Sequence, residues 1–122
     1  MITRVIGDRQ GGRSEFEVSG DILRLTDNCL NEVLNGFHIP ALPALLGASV
    51  EHAEALLDRI HRCADTAGLI VLPSSDLALL ARCIQRSVAE LGPEFSIRTG
   101  FKVEKANSYE AEISRKIGRE AE

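Results

Sequence analysis

Apolar residues recur along this chain first at every second position and then at helical spacing, and the succession occurs twice. MITRV and SEFEV flank the Gly-rich GDRQGG, with Phe16 and Val18 alternating against Glu15 and Glu17. That alternation predicts an N-terminal hairpin over residues 1–18. From Ser19 or Asp21, either able to cap, Ile22, Leu25, Cys29 and Val33 share one face with Leu30 and Leu34 beside them, and Gly36 ends the predicted helix. FHIPALPALLG follows as an apolar connector whose two prolines favour extended geometry, with a helical turn expected at Ala44 to Leu46. Ser49 then caps a helix with Val50, Ala53, Leu57, Ile60 and Ala64 on one side and Glu51, Glu54 and Asp58 away from it.

The second half repeats the order. GLIVLP predicts a strand, with Ile70 and Leu72 on the positions of Phe16 and Val18. Ser74 or Ser75 starts a third helix that stops at Gly92-Pro93, and EFSIRTG is a second connector. Val103, Ala106, Tyr109, Ile113 and Ile117 mark a fourth helix ended by Gly118, with a polar tail at 119–122. Leu23, Leu25 and Cys29 fall on Leu77, Leu79 and Cys83 at a shift of 54. After a one-residue deletion Pro40, Gly47, Val50, Glu51, Ala53, Ile60 and Arg62 fall on Pro93, Gly100, Val103, Glu104, Ala106, Ile113 and Arg115 at a shift of 53. A unit used only twice is too short for a solenoid. The expectation is a single α+β domain over 1–122, mostly helical with a small sheet. It would be built from two tandem strand-helix-linker-helix repeats (19–66 and 67–118) related by a pseudo-twofold axis.

With 122 residues, 44% apolar, the chain can bury a core without disulfide or metal staples. Aromatic residues are scarce, at 4%, so that core must be mostly Leu, Ile, Val and Ala, which favours packed helices. Cys29, Cys63 and Cys83 are odd in number, lack CxxC spacing and sit among apolar neighbours, so they read as reduced core thiols. No apolar run approaches the roughly 18–20 residues of a membrane span, and MITRVIGDRQGG lacks the apolar stretch of a signal peptide. A cytoplasmic protein is expected.

Charge changes the picture more. The formal net charge is −4. Residues 1–20 carry 3 basic and 3 acidic groups, residues 21–66 carry 3 and 7, and residues 67–122 carry 8 and 8, so the whole excess lies in the first repeat. ALLGASVEHAEALLDRI has the small-residue turn of a helix-turn-helix, an alternative reading as a DNA-binding regulator. Its exposed residues would include Glu51, Glu54 and Asp58, and no basic patch compensates them within this repeat, which argues against phosphate contact. His52 and His61 lie nine residues apart, about 180° around a helix, and cannot share a metal; His61 can meet Asp58 or Asp65. GxSxG, P-loop and GxGxxG signatures are absent, so neither catalytic site, metal nor cofactor is assigned. A small hydrolase would need two carboxylates converging in a pocket. What remains is Asp21, Asp27, Glu32, Glu51, Glu54 and Asp58, with Asp65, as a surface of one sign that would steer a basic partner. The plainer account is a solvated face that keeps the chain soluble.

Asn28, Leu30, Asn31, Glu32, Val33, Asn35 and Gly36, followed by Glu51, Ala53, Glu54, Leu56, Leu57 and Asp58, form a pattern that resembles small bacterial immunity proteins of contact-dependent growth inhibition and related polymorphic toxin systems. In that family an N-N-x-L-N-E-V-x-N-G-like helix precedes an E-F-x-x-R-x-G-like linker and an E-A-x-x-L-L-D helix. Here the linker departs in the first copy (ALPALLG) and survives in the second as Glu94, Phe95, Arg98 and Gly100. The resemblance implies a non-enzymatic cytoplasmic antidote that binds the toxic C-terminal domain of a secreted protein, often a nuclease, as a 1:1 heteromer and occludes its active site. The acidic residues named above would make the contacts, since a nuclease groove is basic. Phe37 or Leu42 would anchor the interface or pack on the core.

Overall fold

The computed structural model of the chain describes residues 2–7 and 14–121. It is α+β and mostly helical, with one small antiparallel sheet. Strands β1 (Ile2–Gly7), β2 (Ser14–Ser19) and β3 (Leu69–Pro73) stand in the order β1-β2-β3. The turn of the predicted hairpin, 8–13, lies outside the described residues. Alternation decides which face of the sheet is covered: Phe16, Val18, Ile70 and Leu72 are buried, whereas Glu15, Glu17 and Val71 are half-exposed. Phe16 pairs with Leu72 and Val18 with Ile70, and the β2–β3 register is symmetric about the pair Glu17 and Val71.

After β2 come α1 (Asp21–Asn31), α2 (Leu42–Leu46) and α3 (Val50–Asp65). After β3 come α4 (Ser74–Leu91), α5 (Phe95–Thr99) and α6 (Val103–Ala121). Helices α1 and α4 are buried most heavily, with Ile22, Leu25, Cys29, Leu77, Leu80 and Cys83 at the centre of the core. Helix α3 flanks α1 through Ala53, Leu56 and Ile60, and α6 flanks α4 through Ala106 and Ile113. Phe16 and Phe95 are the largest fully buried side chains. Phe37 and Leu42 both pack against this core.

Helix boundaries follow local chemistry, with two departures from expectation, at the start of α1 and the end of α6. Neither Ser19 nor Asp21 caps α1. Gly20 takes that position at φ 74°, where a side chain would be strained, and Asp21 instead pairs with Arg24 one turn on. Helix α4 starts at Ser74 as expected, its N-cap being the extended Pro73 without a side-chain hydrogen bond. Gly118 does not end α6, which continues to Ala121; an exposed helical glycine costs only about 1 kcal/mol. Ser49 does cap α3, its Oγ accepting from the His52 amide at 3.1 Å. Beyond Asn31 the chain widens into a π turn, Glu32–Gly36, that stops at Gly36 as expected. The two short helices end alike, in left-handed Gly47 (φ 69°) and Gly100 (φ 79°).

Candidate functional site

A groove of about 460 Å³ runs between α1 and α3. One wall is Asp27, Asn28, Asn31, Leu34 and Asn35, and the other is Glu54, Leu57, Asp58 and His61. Spacings of three, four and seven residues put each set on one stripe of its helix, so two stripes face each other. Leu34 and Leu57 are half-buried and pack on the core, giving the groove an apolar component between polar edges. Along this wall the amide of Asn35, in the π turn, donates to Asn31 Oδ1 at 3.0 Å, and Asn28 Nδ2 donates to the Thr99 carbonyl at 2.8 Å.

His61 spans the groove. Its Nδ1 lies 3.1 Å from Asp27 Oδ2 and its Nε2 3.6 Å from Asp65 Oδ2. The hydrogen bond to Asp27 raises its pKa most, followed by the charges of Asp27, Asp65 and Asp58. Both ring nitrogens face carboxylates, which favours an imidazolium over a base with an open nitrogen. Asp58 pairs with Arg62 at 2.8 Å on the exposed side of α3, an i,i+4 pair of small energetic weight. Glu51 and Glu54 are exposed and have no ion-pair partner among the described residues.

No known family, curated protein or solved structure matches the chain. The site therefore rests on geometry alone. Of the acidic residues singled out by sequence, Asp27, Glu54 and Asp58 converge in the groove, and Glu51 continues their stripe one turn earlier on α3. Asp21 stands apart at the start of α1, where the Arg24 guanidinium lowers its pKa. Glu32 is buried, with Arg98 Nε 2.8 Å from Oε1. That contact is an ion pair without a directed hydrogen bond, since Oε1 has no aligned donor. Its charge is thus held inside the fold, against α5.

The sequence reading passed over Asn28, Asn31, Asn35, Leu34, Leu57 and His61 as groove residues. A signal existed for the three asparagines: Asn is a weak helix former, yet three recur on one stripe of α1 and the π turn that continues it. The Asp27–His61 contact joins residues 34 apart and has no local signal. A second pair, His52 Nε2 and the buried Asp76 Oδ1 at 2.7 Å, ties α3 to the start of α4. Among the described residues no helix is long and apolar enough to cross a membrane, and no group of three His, Cys, Asp or Glu could hold a metal ion.

Proposed function

We propose that this chain is a non-enzymatic cytoplasmic immunity protein that binds the toxic C-terminal domain of a cognate secreted protein, a nuclease by preference, as a 1:1 heteromer and occludes its active site. The observation that carries the reading is the α1–α3 groove with Asp27, Glu54 and Asp58 on its walls and Glu51 beside it. A nuclease must concentrate cations where phosphates lie, so carboxylates fixed on two packed helices offer such a surface a complementary field. The helix-turn-helix reading has no such support, because the outward stripe of α3 is acidic.

We further infer that residues 19–66 and 67–118 are two copies of one unit about a pseudo-twofold axis. The symmetric β2–β3 register, the matching order of elements and the paired left-handed glycines support this.

The test combines growth rescue with titration. Coexpression of this chain should protect cells from the toxin domain encoded beside it, and the purified pair should bind with an affinity that falls as salt rises. The triple variant Glu51→Lys, Glu54→Lys, Asp58→Lys should keep its circular dichroism and melting profile while losing at least about tenfold in affinity, as expected for several charge contacts together. Unchanged affinity in the folded triple variant would eliminate the acidic face as the binding element.

A further inference from the structure

The groove belongs to the first half of the chain only. At the positions 54 or 53 residues on, Asp27, Glu54 and Asp58 give way to Ala81, Asn107 and Ala111. There α4 and α6 are bridged directly: Gln85 Nε2 donates to Glu110 Oε1 at 2.7 Å, and Ser114 Oγ donates to the same oxygen at 2.8 Å. Between α1 and α3 the bridge is the exposed His61–Asp27 contact, and the space beside it is open, its sides apolar at Leu34 and Leu57 and carboxylate at the rim.

The sole basic side chain among the residues lining the groove is the chain's own His61, a planar N–H donor set between Asp27 of α1 and Asp65 of α3. It is two-thirds exposed, so little packing holds it there. A guanidinium has the same planarity, more donors and a permanent charge, and it matches carboxylate and amide oxygens in two directions at once. Asp27, Asp58 and Glu54, with the amide side chains of Asn28, Asn31 and Asn35, supply acceptors on both walls.

We propose that the α1–α3 groove seats an arginine side chain of an incoming polypeptide, flanked by an apolar residue that lies over Leu34 and Leu57, and that this guanidinium replaces His61 as the partner of Asp27. The proposal rests on the reading of this chain as a binder of a protein partner and names the chemistry that partner must present. Four carboxylates face the exchange, Asp27 from α1 and Glu54, Asp58 and Asp65 from α3, with Arg62 already paired to Asp58 on its exposed side. Because imidazolium and guanidinium compete for Asp27, seating the ligand drives a proton off His61 into the buffer, and binding tightens as pH rises through the histidine range.

The probe is a capped heptapeptide of alternating Leu and Arg, titrated into the full-length chain by NMR beside versions with Lys and with neutral citrulline. The Arg peptide should shift the side-chain amides of Asn28, Asn31 and Asn35 and move the His61 ring signals toward the neutral form. Citrulline should weaken binding by about tenfold and Lys by less, in line with several exposed charge contacts acting together. Glu54→Gln, an exposed change that leaves the core untouched, should weaken the Arg peptide about threefold, and Asp27→Asn more, while Gln85→Ala should change nothing. Equal binding of the citrulline peptide, shifts outside the groove, or unmoved His61 signals at saturation would each overturn the proposal. Growth rescue separates the two readings: rescue without peptide binding removes the arginine seat alone, and peptide binding without rescue removes the immunity reading.

Discussion

Asn28 and Arg82, 54 residues apart, each reach out of their own half of the chain to cap a short helix belonging to the other. Arg82 donates from Nε to the Leu45 carbonyl at 2.9 Å and from Nη2 to the Leu46 carbonyl at 2.7 Å, while Asn28 donates to the Thr99 carbonyl at 2.8 Å. Terminal helix carbonyls lack partners within their own helix, so these bonds satisfy acceptors that would otherwise be left bare against packed protein. Arg82→Ala should therefore destabilise the fold by about 1–3 kcal/mol, read from urea unfolding, and Asn28→Ala by about 1 kcal/mol. Equal small losses for both would mean that water replaces Arg82 freely.

Gly47 and Gly100 form a matched pair for testing backbone strain against crowding. Both have left-handed φ, so an alanine at either costs about 1–2 kcal/mol. A Cβ at Gly100 meets nothing within 4 Å, whereas one at Gly47 would come within 2.6 Å of Arg82 Nη2. Gly47→Ala should lose more stability than Gly100→Ala by about the value of the displaced hydrogen bonds, roughly 1 kcal/mol. In the Arg82→Ala background that excess should vanish, a double-mutant cycle that isolates the contact.

The Glu32–Arg98 pair should behave as a buried charge with one outward-facing partner. Arg98→Ala leaves a carboxylate uncompensated and should cost about 1–3 kcal/mol, whereas Glu32→Gln with Arg98 retained should cost less. A Cβ at Gly36 would lie 2.6 Å from Glu32 Oε1 and 3.2 Å from Arg98 Nη2, so Gly36→Ala should disturb the same pair. Thermal melts of the three variants, alone and combined, would show the coupling.

His61 makes stability depend on pH in a defined direction. Its folded pKa is raised above the ordinary 6.5 by Asp27 first, so its contribution is fully present below that value and is lost as pH rises through the folded one. The unfolding midpoint in urea should accordingly fall across that window in the native chain and flatten in His61→Gln. An unchanged slope would remove His61 as the linked group.

Thiol reactivity should separate the three cysteines. Burial pushes Cys29 and Cys83 up to about 12, whereas Cys63 is half-buried on α3. Under native conditions a maleimide should modify Cys63 first, and Cys29 and Cys83 only at the rate of unfolding, as peptide mapping would show.

Legibility of this fold in the sequence follows the range of each interaction. Residues whose neighbours lie within a turn were readable: Ser49 caps α3, Gly36 stops the π turn, and Phe16 and Val18 point inward beside Ile70 and Leu72. The acidic stripe of α3 was readable for the same reason. Glu32 was not, because nothing beside it in the chain announces Arg98 66 residues on, and an acidic residue with no local partner reads as solvated. The groove was half-readable. Periodicity placed Asp27 and Asp58 on helix surfaces, but which two helices would face each other depends on how α1 and α4 pack at the centre, and that is decided by the whole core. Position 19 misled because a serine before a helix is only one way to begin it; Gly20 supplies the backbone geometry without a side-chain bond.

The exchange of caps also sets an order of events during synthesis. A ribosome releases residues 14–66 before β3 and α4 exist, so β2 waits with one edge unpaired and the Leu45 and Leu46 carbonyls wait for a guanidinium not yet made. The cooperative step is accordingly expected late, when Leu69–Pro73 pairs with β2 and Arg82 closes on α2. A released fragment ending near residue 66 should therefore be more aggregation-prone than one ending after Thr99, as light scattering of the two would show.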